Sequence, residues 1–457
     1  MQLRLLRRYL KRETYLAYEW ARWLPFRRLT FDMRGGRKQA KLACGRPLDG
    51  IRRDFPPSRN GAEAPRLSCD HQPELKRGSP MSEITRVLKL IARVGVDLAK
   101  RVIQVHAVDA AGQRVVSRAL KREQFMEWCV QLPAGCVVAM EACSSAHHWG
   151  RKLQALGIDA RLIAANFVSP YRMEGKSGKN DATDAAAICE AASRPSMRFV
   201  PIKSCEQQGV MSLHRVREGI KEERTACINQ IRGVLAEFGL VFNKSPKALR
   251  AELADVIEDA SNEISAMARK VLQRAFDHWR ELDEHMRWCD QQVGQHVRSS
   301  PEAKRAAKIN GIGPLGASAM TASVGDFKQF KGGHQLGAWV GLVPSQNSSG
   351  GKTSLGRITK RGDDYLRTLL IQGAKSVVMS AGKRDDPTSR WLVQLVARVG
   401  WQKACVAMAN KNARILWAVM TRDENYDPRH VSEKPQAKKP AHERVAAAAP
   451  VQVQCQA

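Results

Sequence analysis

The amino-acid sequence predicts an α/β domain followed by a helical coiled-coil arm and a mainly α-helical C-terminal domain. Three observations support this order. Short apolar runs and period-two alternation, separated by turn residues, fill residues 90–204, as in a sheet with connecting helices. Residues 205–300 place apolar side chains at helical steps of three, four and seven. Residues 301–422 include an alanine-rich stretch and further segments with helical periodicity.

The α/β domain shows its strands as apolar runs bounded by turns. The predicted strands cover residues 94–98, 101–108, 113–119, 136–141 and 159–164. Helices are predicted at residues 121–131 and 146–156, and Gly157 is a suitable helix stop. Three strands joined by short turns and then strand–helix alternation predict a mixed sheet with helices on its faces.

The arm consists of two predicted amphipathic helices, at residues 205–240 and 264–289, joined around Pro246. We expect them to form an antiparallel helical hairpin that serves as a spacer or dimerisation arm. The C-terminal domain combines helices with a glycine- and serine-rich loop at residues 343–356. A tail at residues 423–457, rich in proline, alanine and lysine, is predicted to be disordered.

Residues 1–80 differ in composition from the rest of the chain. They contain 19 basic and 8 acidic residues, several Gly and Pro breakers, and no persistent core pattern. They lack the compact apolar stretch and cleavage site of a secretory signal, so secretion is not expected. Two interpretations stay open: an incorrectly assigned start upstream of Met81, or a nucleic-acid-binding arm.

Composition limits the classes of function. The 457 residues include 75 lysines and arginines against 45 acidic residues, a net charge of +30. Such an excess indicates a polyanionic partner, either nucleic acid or an anionic membrane surface. No apolar run approaches the roughly 18 residues of a membrane span. The 11 cysteines are scattered without a Cys-x-x-Cys pair, which favours free thiols in a reducing cytoplasm over a zinc site.

Four carboxylates are the strongest candidates for chemistry. Asp97 lies inside the first apolar strand, and Glu141 ends the strand at 136–141. Asp181 and Asp184 are three residues apart at the start of a helical stretch, so both project from one face. Carboxylates on buried strands are costly unless a cation compensates them. Two divalent metal ions would do so, and such pairs serve phosphoryl transfer on nucleic acid.

Each of these residues also has an ordinary structural explanation. Acidic residues such as Asp181 and Asp184 are common at helix N-termini, where they interact favourably with the helix dipole. The combination of all four, with Lys176 and Lys179 just before the helical pair, favours a catalytic site and a basic surface for nucleic acid.

The motifs around these acids resemble those of the DEDD-type transposases of bacterial insertion sequences. The matching segments are VGVDLAK (94–100), MEAC (140–143), KNDATDA (179–185), CEA (189–191), RFVP (198–201) and GLVP (341–344). The resemblance extends from about residue 93 to about residue 416. It implies an RNase H-like catalytic domain, similar to the RuvC type of Holliday-junction resolvase, in which these four acids bind Mg²⁺, with two ions expected.

The resemblance also implies a nucleophile and partners. In the family, a serine of the C-terminal loop forms a covalent 5′-phosphoserine link to DNA. Ser349 is the position followed directly by glycine, and Ser348 stays open as the alternative. The implied partners are donor and target DNA, a structured non-coding guide RNA, and further copies of the chain in a homodimer or homotetramer. The implied location is the bacterial cytoplasm, at the nucleoid.

Two further segments are candidates for nucleic-acid contact. Gly311 and Gly313 lie between helical stretches and resemble a helix-hairpin-helix turn, where glycine lets the backbone approach a phosphate. An ordinary helix connection explains them equally well. The basic residues that follow the serine loop suit phosphate contact or a solvated basic face: Lys352, Arg357, Lys360, Arg361 and Arg367.

Two other functions are compatible with these patterns. A metal-dependent junction nuclease would hydrolyse DNA with activated water and would not need Ser349. A non-catalytic nucleic-acid-binding relative would need neither the serine nor the acids, although the intact set of four acids argues against it. The transposase interpretation is the one that accounts for all motifs together.

Overall fold

The computed structural model describes residues 88–172, 180–243, 245–350 and 352–430. The predicted extension at 1–80 and the tail beyond residue 430 lie outside the described residues. A mixed α/β sheet is followed by a mostly helical region, which confirms the predicted order of architectures.

The first region is built on a six-stranded sheet. Its strands are β1 (Arg93–Leu98), β2 (Val102–Val108), β3 (Arg114–Lys121), β4 (Val137–Glu141), β5 (Asp159–Ile163) and β6 (Phe199–Val200). Their spatial order is β3-β2-β1-β4-β5-β6. Strands β1, β2 and β3 form an antiparallel meander, β4 and β5 continue parallel to β1, and β6 is antiparallel to β5. The meander and the parallel centre agree with the sequence prediction.

Helices cover both faces of the sheet. The helices of this region are α1 (Gln124–Cys129), α2 (Ala146–Ala155), α3 (Ala165–Val168) and α4 (Asp181–Ala192). Because side chains alternate along a strand, Val94 and Val96 face the side of α1 and α2, where Phe125 and Trp149 share their core. Gly95 and Asp97 therefore face the other side, which α4 covers.

The arm contains three helices rather than the predicted two. They are α5 (Cys205–Glu237), α6 (Pro246–Glu258) and α7 (Ala266–Ser299). Ion pairs join Arg217 to Asp290 at 2.7 Å and Arg224 to Asp283, so α5 and α7 run antiparallel as expected. Pro246 does not join these two helices. It is the first residue of α6, where proline is favoured, and α6 packs into the same core.

The C-terminal region packs six helices around one core. They are α8 (Pro301–Ala307), α9 (Pro314–Val324), α10 (Gly333–Trp339), α11 (Asp364–Ser380), α12 (Pro387–Val399) and α13 (Trp401–Arg422). The segment predicted as a loop at 343–356 is instead an antiparallel hairpin of β7 (Pro344–Ser349) and β8 (Lys352–Ile358). Its Gly-Gly turn is a strong hairpin signal, and Gly350 takes the positive φ of 55° that such a turn requires.

Two expectations from composition can be compared with the described residues. The eight cysteines among them are all free. None of the described helices has the length and apolarity needed to cross a bilayer.

Candidate active site

Two of the predicted acids lie side by side at one edge of the sheet. Strands β1 and β4 are parallel neighbours, with Gly95 opposite Ala139 and Val96 opposite Met140. The next residues in this register are Asp97 and Glu141, both on the face that α4 covers. The carboxyl ends of parallel strands are a usual place for ligand binding in α/β folds. The strand prediction is thus sufficient to bring these two carboxylates together.

Helix α4 approaches the sheet very closely, and Gly95 makes this possible. A Cβ atom at Gly95 would lie 2.1 Å from the carbonyl oxygen of Ala185 and 2.5 Å from the amide nitrogen of Cys189. No other residue fits at this position without moving the helix. Because Gly95 is two residues before Asp97, this contact fixes the first turns of α4 over the strand ends.

The N-terminus of α4 supplies the other two acids. Asn180 caps the helix: its side-chain oxygen accepts a hydrogen bond of 2.8 Å from the backbone N–H of Thr183, in a capping box. Asp181 is exposed, whereas Asp184, one turn further, is buried. The cap explains why the helix begins here, but a helix-capping role does not explain a buried carboxylate at Asp184.

The electrostatics show that the four carboxylates act on one another. Burial raises the pKa of the Asp97 carboxyl, and the negative charges of Asp181, Asp184 and Glu141 raise it further. The pKa of the Cys143 thiol is also raised, first by burial and then by the charges of Glu141 and Asp97. The structure therefore brings together all four acids singled out from the sequence.

One cation in this cluster was missed by sequence reasoning. Arg172 forms ion pairs with Asp184, Nε to Oδ1 at 2.7 Å, and with Glu141, Nη2 to Oε2 at 3.3 Å. It follows a short 3₁₀ helix at Ser169–Tyr171 and belongs to none of the recognised motifs. The sequence around Arg172 contains no signal for its contact with the acids, because this contact depends on the path that the chain takes after β5.

The donor set suits a divalent metal ion, although its present geometry does not form a metal site. Four carboxylates offer the hard oxygen ligands that Mg²⁺ prefers. Within the described residues, however, no three His, Cys, Asp or Glu side chains are arranged to hold a metal ion. The guanidinium of Arg172 neutralises two of the carboxylates instead. Arg172 thus occupies the position between Glu141 and Asp184 in this structure.

The predicted nucleophile lies on the hairpin of β7 and β8. Ser349 is the last residue of β7 and pairs with Lys352, whereas Ser348 pairs with Thr353, so the two serines point to opposite faces. Both are exposed. Ser348 accepts a hydrogen bond of 2.8 Å from the side-chain amide of Gln346. Ser349 thus stands at the tip of the hairpin, accessible to a large substrate.

The hairpin makes no direct polar contact with the acidic cluster in the described part of the chain. No hydrogen bond or ion pair among the described residues links the hairpin to Asp97, Glu141, Asp181 or Asp184. Four of the predicted basic residues are exposed on or after the hairpin: Lys352, Arg357, Lys360 and Arg361. Lys176 and Lys179 lie outside the described residues.

Arg367 does not belong to this exposed basic set. Its side chain is buried, and its guanidinium donates to the carbonyl oxygens of Val340 and Gly362 at 3.1 and 3.3 Å. It also pairs with Asp364. Arg367 therefore joins the residues before and after the hairpin to α11 and is not available for the predicted phosphate contact.

Gly311 and Gly313 have different environments in the turn between α8 and α9. Gly311 has a φ of 85°, and a Cβ there would lie 2.7 Å from Val377 Cγ2 and 2.9 Å from Asn412 Nδ2. Close packing thus explains Gly311. Gly313 is exposed at the N-cap of α9, where a Cβ would meet no atom within 4 Å. The backbone at Gly313 is therefore the part of this turn that is accessible to a phosphate.

Comparisons with known proteins identify the family. A family model described as a transposase matches residues 94–239, and one described as the transposase IS116/IS110/IS902 family matches residues 303–389. A probable family 20 transposase of Pseudomonas aeruginosa is 48% identical over 339 residues, covering 74% of this chain and 99% of that protein. The chain belongs to the IS116/IS110/IS902 transposase family.

Other relatives of this transposase agree. The transposase for insertion sequence element IS1111A of Coxiella burnetii is 42% identical over 341 residues, 75% of this chain and 93% of that protein. The transposase for IS1328 of Yersinia enterocolitica is 35% identical over 331 residues, 72% of this chain and 97% of that protein. The first matched region contains the four acids and the second contains Ser349. As an insertion-sequence transposase, the protein acts on DNA.

Proposed function

We propose that this transposase cuts and rejoins DNA strands through a covalent serine–DNA intermediate, assisted by Mg²⁺ bound at the four acids. The observation that carries the proposal is the convergence of Asp97, Glu141, Asp181 and Asp184 at one sheet edge, where burial and then the charges of the other three acids raise the pKa of Asp97. Such a concentration of negative charge is costly for folding alone and is suited to divalent cations.

The acids and the metal would divide the work in a simple way. Asp97, Glu141, Asp181 and Asp184 would hold Mg²⁺, with two ions expected, once Arg172 has moved. A bound metal would supply Lewis-acid stabilisation of the negative charge that develops on the phosphoryl oxygens. Asp97 and Glu141 lie on rigid strands, which keeps their carboxylates oriented when DNA binds.

Ser349 would supply the nucleophile. Its Oγ forms a bond to a backbone phosphorus, the bond from phosphorus to the 3′ oxygen breaks, and the serine proton ends on the released 3′ hydroxyl. Attack of another 3′ hydroxyl on the phosphoserine restores the phosphodiester and the serine. A serine hydroxyl is a weak nucleophile, so it needs activation. The acidic site would provide it, which requires the hairpin tip to approach the acids.

The regions would have distinct tasks. Residues 90–204 would form an RNase H-like catalytic domain, residues 205–300 a coiled-coil arm for dimerisation or spacing, and residues 301–422 the serine-bearing domain. The turn at Gly311 and Gly313 would act like a helix-hairpin-helix element, chiefly through the exposed Gly313. The exposed basic residues would contact phosphates: Lys352, Arg357, Lys360 and Arg361. Lys176 and Lys179, which precede Asp181 in the sequence, would add to this set.

The partners would be donor DNA, target DNA and a structured guide RNA that pairs with both. A homodimer or homotetramer would supply the two or more active sites that strand exchange requires. The net charge of +30 is compatible with several nucleic-acid strands bound at once.

A test for a covalent adduct decides the mechanism. Full-length protein, Mg²⁺, the flanking RNA of the element and end-labelled donor DNA are mixed and separated on a denaturing gel. We expect an adduct with the unaltered protein and none with Ser349→Ala or Asp97→Ala. Ser348→Ala is the matched control, since this serine points to the other hairpin face, and its adduct should persist.

The other outcomes separate the rival functions. Cleavage that survives Ser349→Ala without any adduct would identify a metal-dependent nuclease. An adduct lost in Ser348→Ala and kept in Ser349→Ala would move the nucleophile by one residue. Binding without cleavage by every variant would identify a nucleic-acid-binding relative.

A further inference from the structure

Arg172 places one guanidinium between two of the four acids. Its Nε lies 2.7 Å from Asp184 Oδ1, and its Nη2 lies 3.3 Å from Glu141 Oε2. These contacts use two different nitrogen atoms and reach two different elements, the end of β4 and the first turns of α4. The side chain of Arg172 is 31% exposed, compared with 21% for Glu141 and 10% for Asp184. Arg172 therefore closes the cluster from its solvent side.

The charges in the cluster do not balance. Four carboxylates face one guanidinium, and among the described residues neither Asp97 nor Asp181 takes part in an ion pair. A carboxylate pair deprived of its cation would suffer stronger repulsion, because half-buried charges are weakly screened. Any second cation that enters must in turn be repelled by the guanidinium. Glu141 and Asp184 can thus be neutralised by Arg172 or by a divalent metal ion, but not by both at once.

We propose that Arg172 is an exchangeable counter-cation of the acidic site, which competes with divalent metal for Glu141 and Asp184 and leaves when metal binds. This inference rests on the proposed metal-binding role of the four acids. In the absence of metal, Arg172 limits the repulsion among the carboxylates and so keeps α4 against the sheet. It also lowers the affinity of the empty protein for metal, since each binding event must first displace the guanidinium.

The partial exposure of Arg172 makes the exchange feasible. A fully buried guanidinium would have no route to water without opening the surrounding structure. Arg172 can instead rotate outwards, where its charge is solvated. An arginine that held the fold permanently would be expected to direct its donors to backbone carbonyls, as Arg367 does with Val340 and Gly362.

The test measures metal binding directly. Mn²⁺ or Mg²⁺ is titrated calorimetrically into the full-length protein without DNA, for the unaltered protein, Arg172→Ala and Arg172→Lys. We expect Arg172→Ala to bind metal about tenfold more tightly, because the competing charge is gone. Arg172→Lys should lie between the two, since an ammonium keeps the charge but lacks the fork that reaches both acids.

Two controls define the site and the charge effect. Arg161→Ala removes an arginine that pairs with Asp159 on strand β5 at 2.6 Å. It changes the net charge of the protein by the same amount as Arg172→Ala. The metal affinity of this variant should equal that of the unaltered protein. Asp97→Asn should weaken metal binding in every background. Melting temperatures, measured with and without metal, establish that each variant is folded, and the metal-induced rise should be largest for Arg172→Ala.

The outcomes separate the inference from the proposed function. Metal binding that depends on Asp97 but is unchanged or weaker in Arg172→Ala would overturn the inference and leave the metal site in place. If Arg172→Ala does not fold, Arg172→Lys decides: affinity no higher than that of the unaltered protein rejects the exchange. If no variant binds metal, both the inference and the metal part of the proposed function fail.

Discussion

The acidic cluster and the serine hairpin differ in how the chain holds them. Asp97 and Glu141 lie at the ends of two paired strands at the centre of a sheet, and Asp184 is buried on α4, the helix that touches β1 at Gly95. Ser349 ends a two-stranded hairpin of which almost every residue is exposed. Preorganised ligands need a rigid scaffold, whereas a nucleophile that must reach a DNA strand needs access.

This difference indicates which part moves when the site assembles. The strands and the helix that carry the acids are fixed by close packing at Gly95, so moving the acidic set as a whole would disturb the sheet or α4. The hairpin has its own cross-strand pairs and few neighbours, so it can approach another surface as a unit. We therefore expect the meeting of Ser349 with the acids to come from movement of the hairpin side, or from a second copy of the chain, on binding DNA.

The largest predicted effect comes from Gly95→Ala, which disturbs the close packing beneath the acidic cluster. The added methyl group would lie within 2.1–2.7 Å of atoms of Ala185 and Cys189, so α4 must shift away from β1. We expect a loss of about 3 kcal/mol in the free energy of unfolding, as for severe overpacking, and loss of the covalent adduct. Denaturant unfolding and the adduct gel measure the two effects.

Gly209→Ala is the matched control for this substitution. Gly209 lies in α5, and a Cβ there would meet no atom within 4 Å. Alanine in a helix interior should stabilise the protein slightly, and the adduct should be unchanged. Equal effects of Gly95→Ala and Gly209→Ala would show that the contact between β1 and α4 does not position the acids.

The sequence was sufficient to predict the framework of the acidic cluster. The apolar runs around Asp97 and before Glu141 are buried strands, and parallel pairing of neighbouring strands necessarily aligns their carboxyl ends. The spacing of Asp181 and Asp184 at a capped helix start was equally visible. Arg172 was not, because its contacts join residues 31 and 12 positions away through the path of a connecting segment.

The mistakes in the other region have local causes. The serine and glycine residues between 343 and 356 predict a loop because an exposed hairpin shows no period-two alternation of apolar and polar side chains. The Gly-Gly turn at 350–351 was the signal that could have found it. Pro246 was treated as a break between helices, although proline is also favoured at the first position of a helix, and α6 begins there.

A buried polar network joins the arm to the helices that carry the hairpin. His214 on α5 contacts the Tyr365 hydroxyl on α11 through Nδ1 and the Ser318 hydroxyl on α9 through Nε2, each at 2.9 Å. His296 on α7 contacts the same Ser318 hydroxyl at 2.9 Å. Because four helices meet here, this network contributes to the attachment of the hairpin side to the arm.

The second prediction, intermediate in size, uses pH to weaken this attachment. Burial, with the charges of Arg217 and His296, lowers the pKa of His214 from 6.5 to about 4. As the pH falls, His214 is therefore protonated in the unfolded chain before it is protonated in the folded protein. The stability present above pH 6.5 is lost as the pH falls towards 4. Between pH 7.5 and 5 we expect a loss of roughly 2 kcal/mol from this group, measured by denaturant unfolding at each pH.

His214→Gln isolates the contribution of His214. The variant should be less stable at pH 7.5, because the network is disturbed, but its stability should fall less steeply with decreasing pH. His147, whose pKa burial also lowers to about 4, titrates in both proteins and cancels in the difference. The exposed His285, changed to Gln, is the control and should keep the original slope. A slope unaffected by His214→Gln would remove His214 from this role.

The smallest predicted effect concerns the exposed serine hairpin. Lys352 is exposed and pairs with Ser349 across the hairpin, so a phosphate bound near Ser349 also lies near this ammonium group. Lys352→Gln should change the free energy of unfolding by less than about 0.5 kcal/mol. It should reduce the slope of log affinity for DNA against log salt concentration by about 1, as expected for one lost phosphate contact.

Lys383→Gln removes the same charge from an exposed position in the short 3₁₀ helix at Ala381–Lys383, outside the hairpin strands. Its salt dependence should match that of the unaltered protein if the hairpin makes the contact. Equal slopes for Lys352→Gln and Lys383→Gln would mean that the positive charge acts only as a general field. Lys352 would then make no phosphate contact of its own, and the phosphate near Ser349 would depend on the other exposed basic residues and on metal bound at the acids.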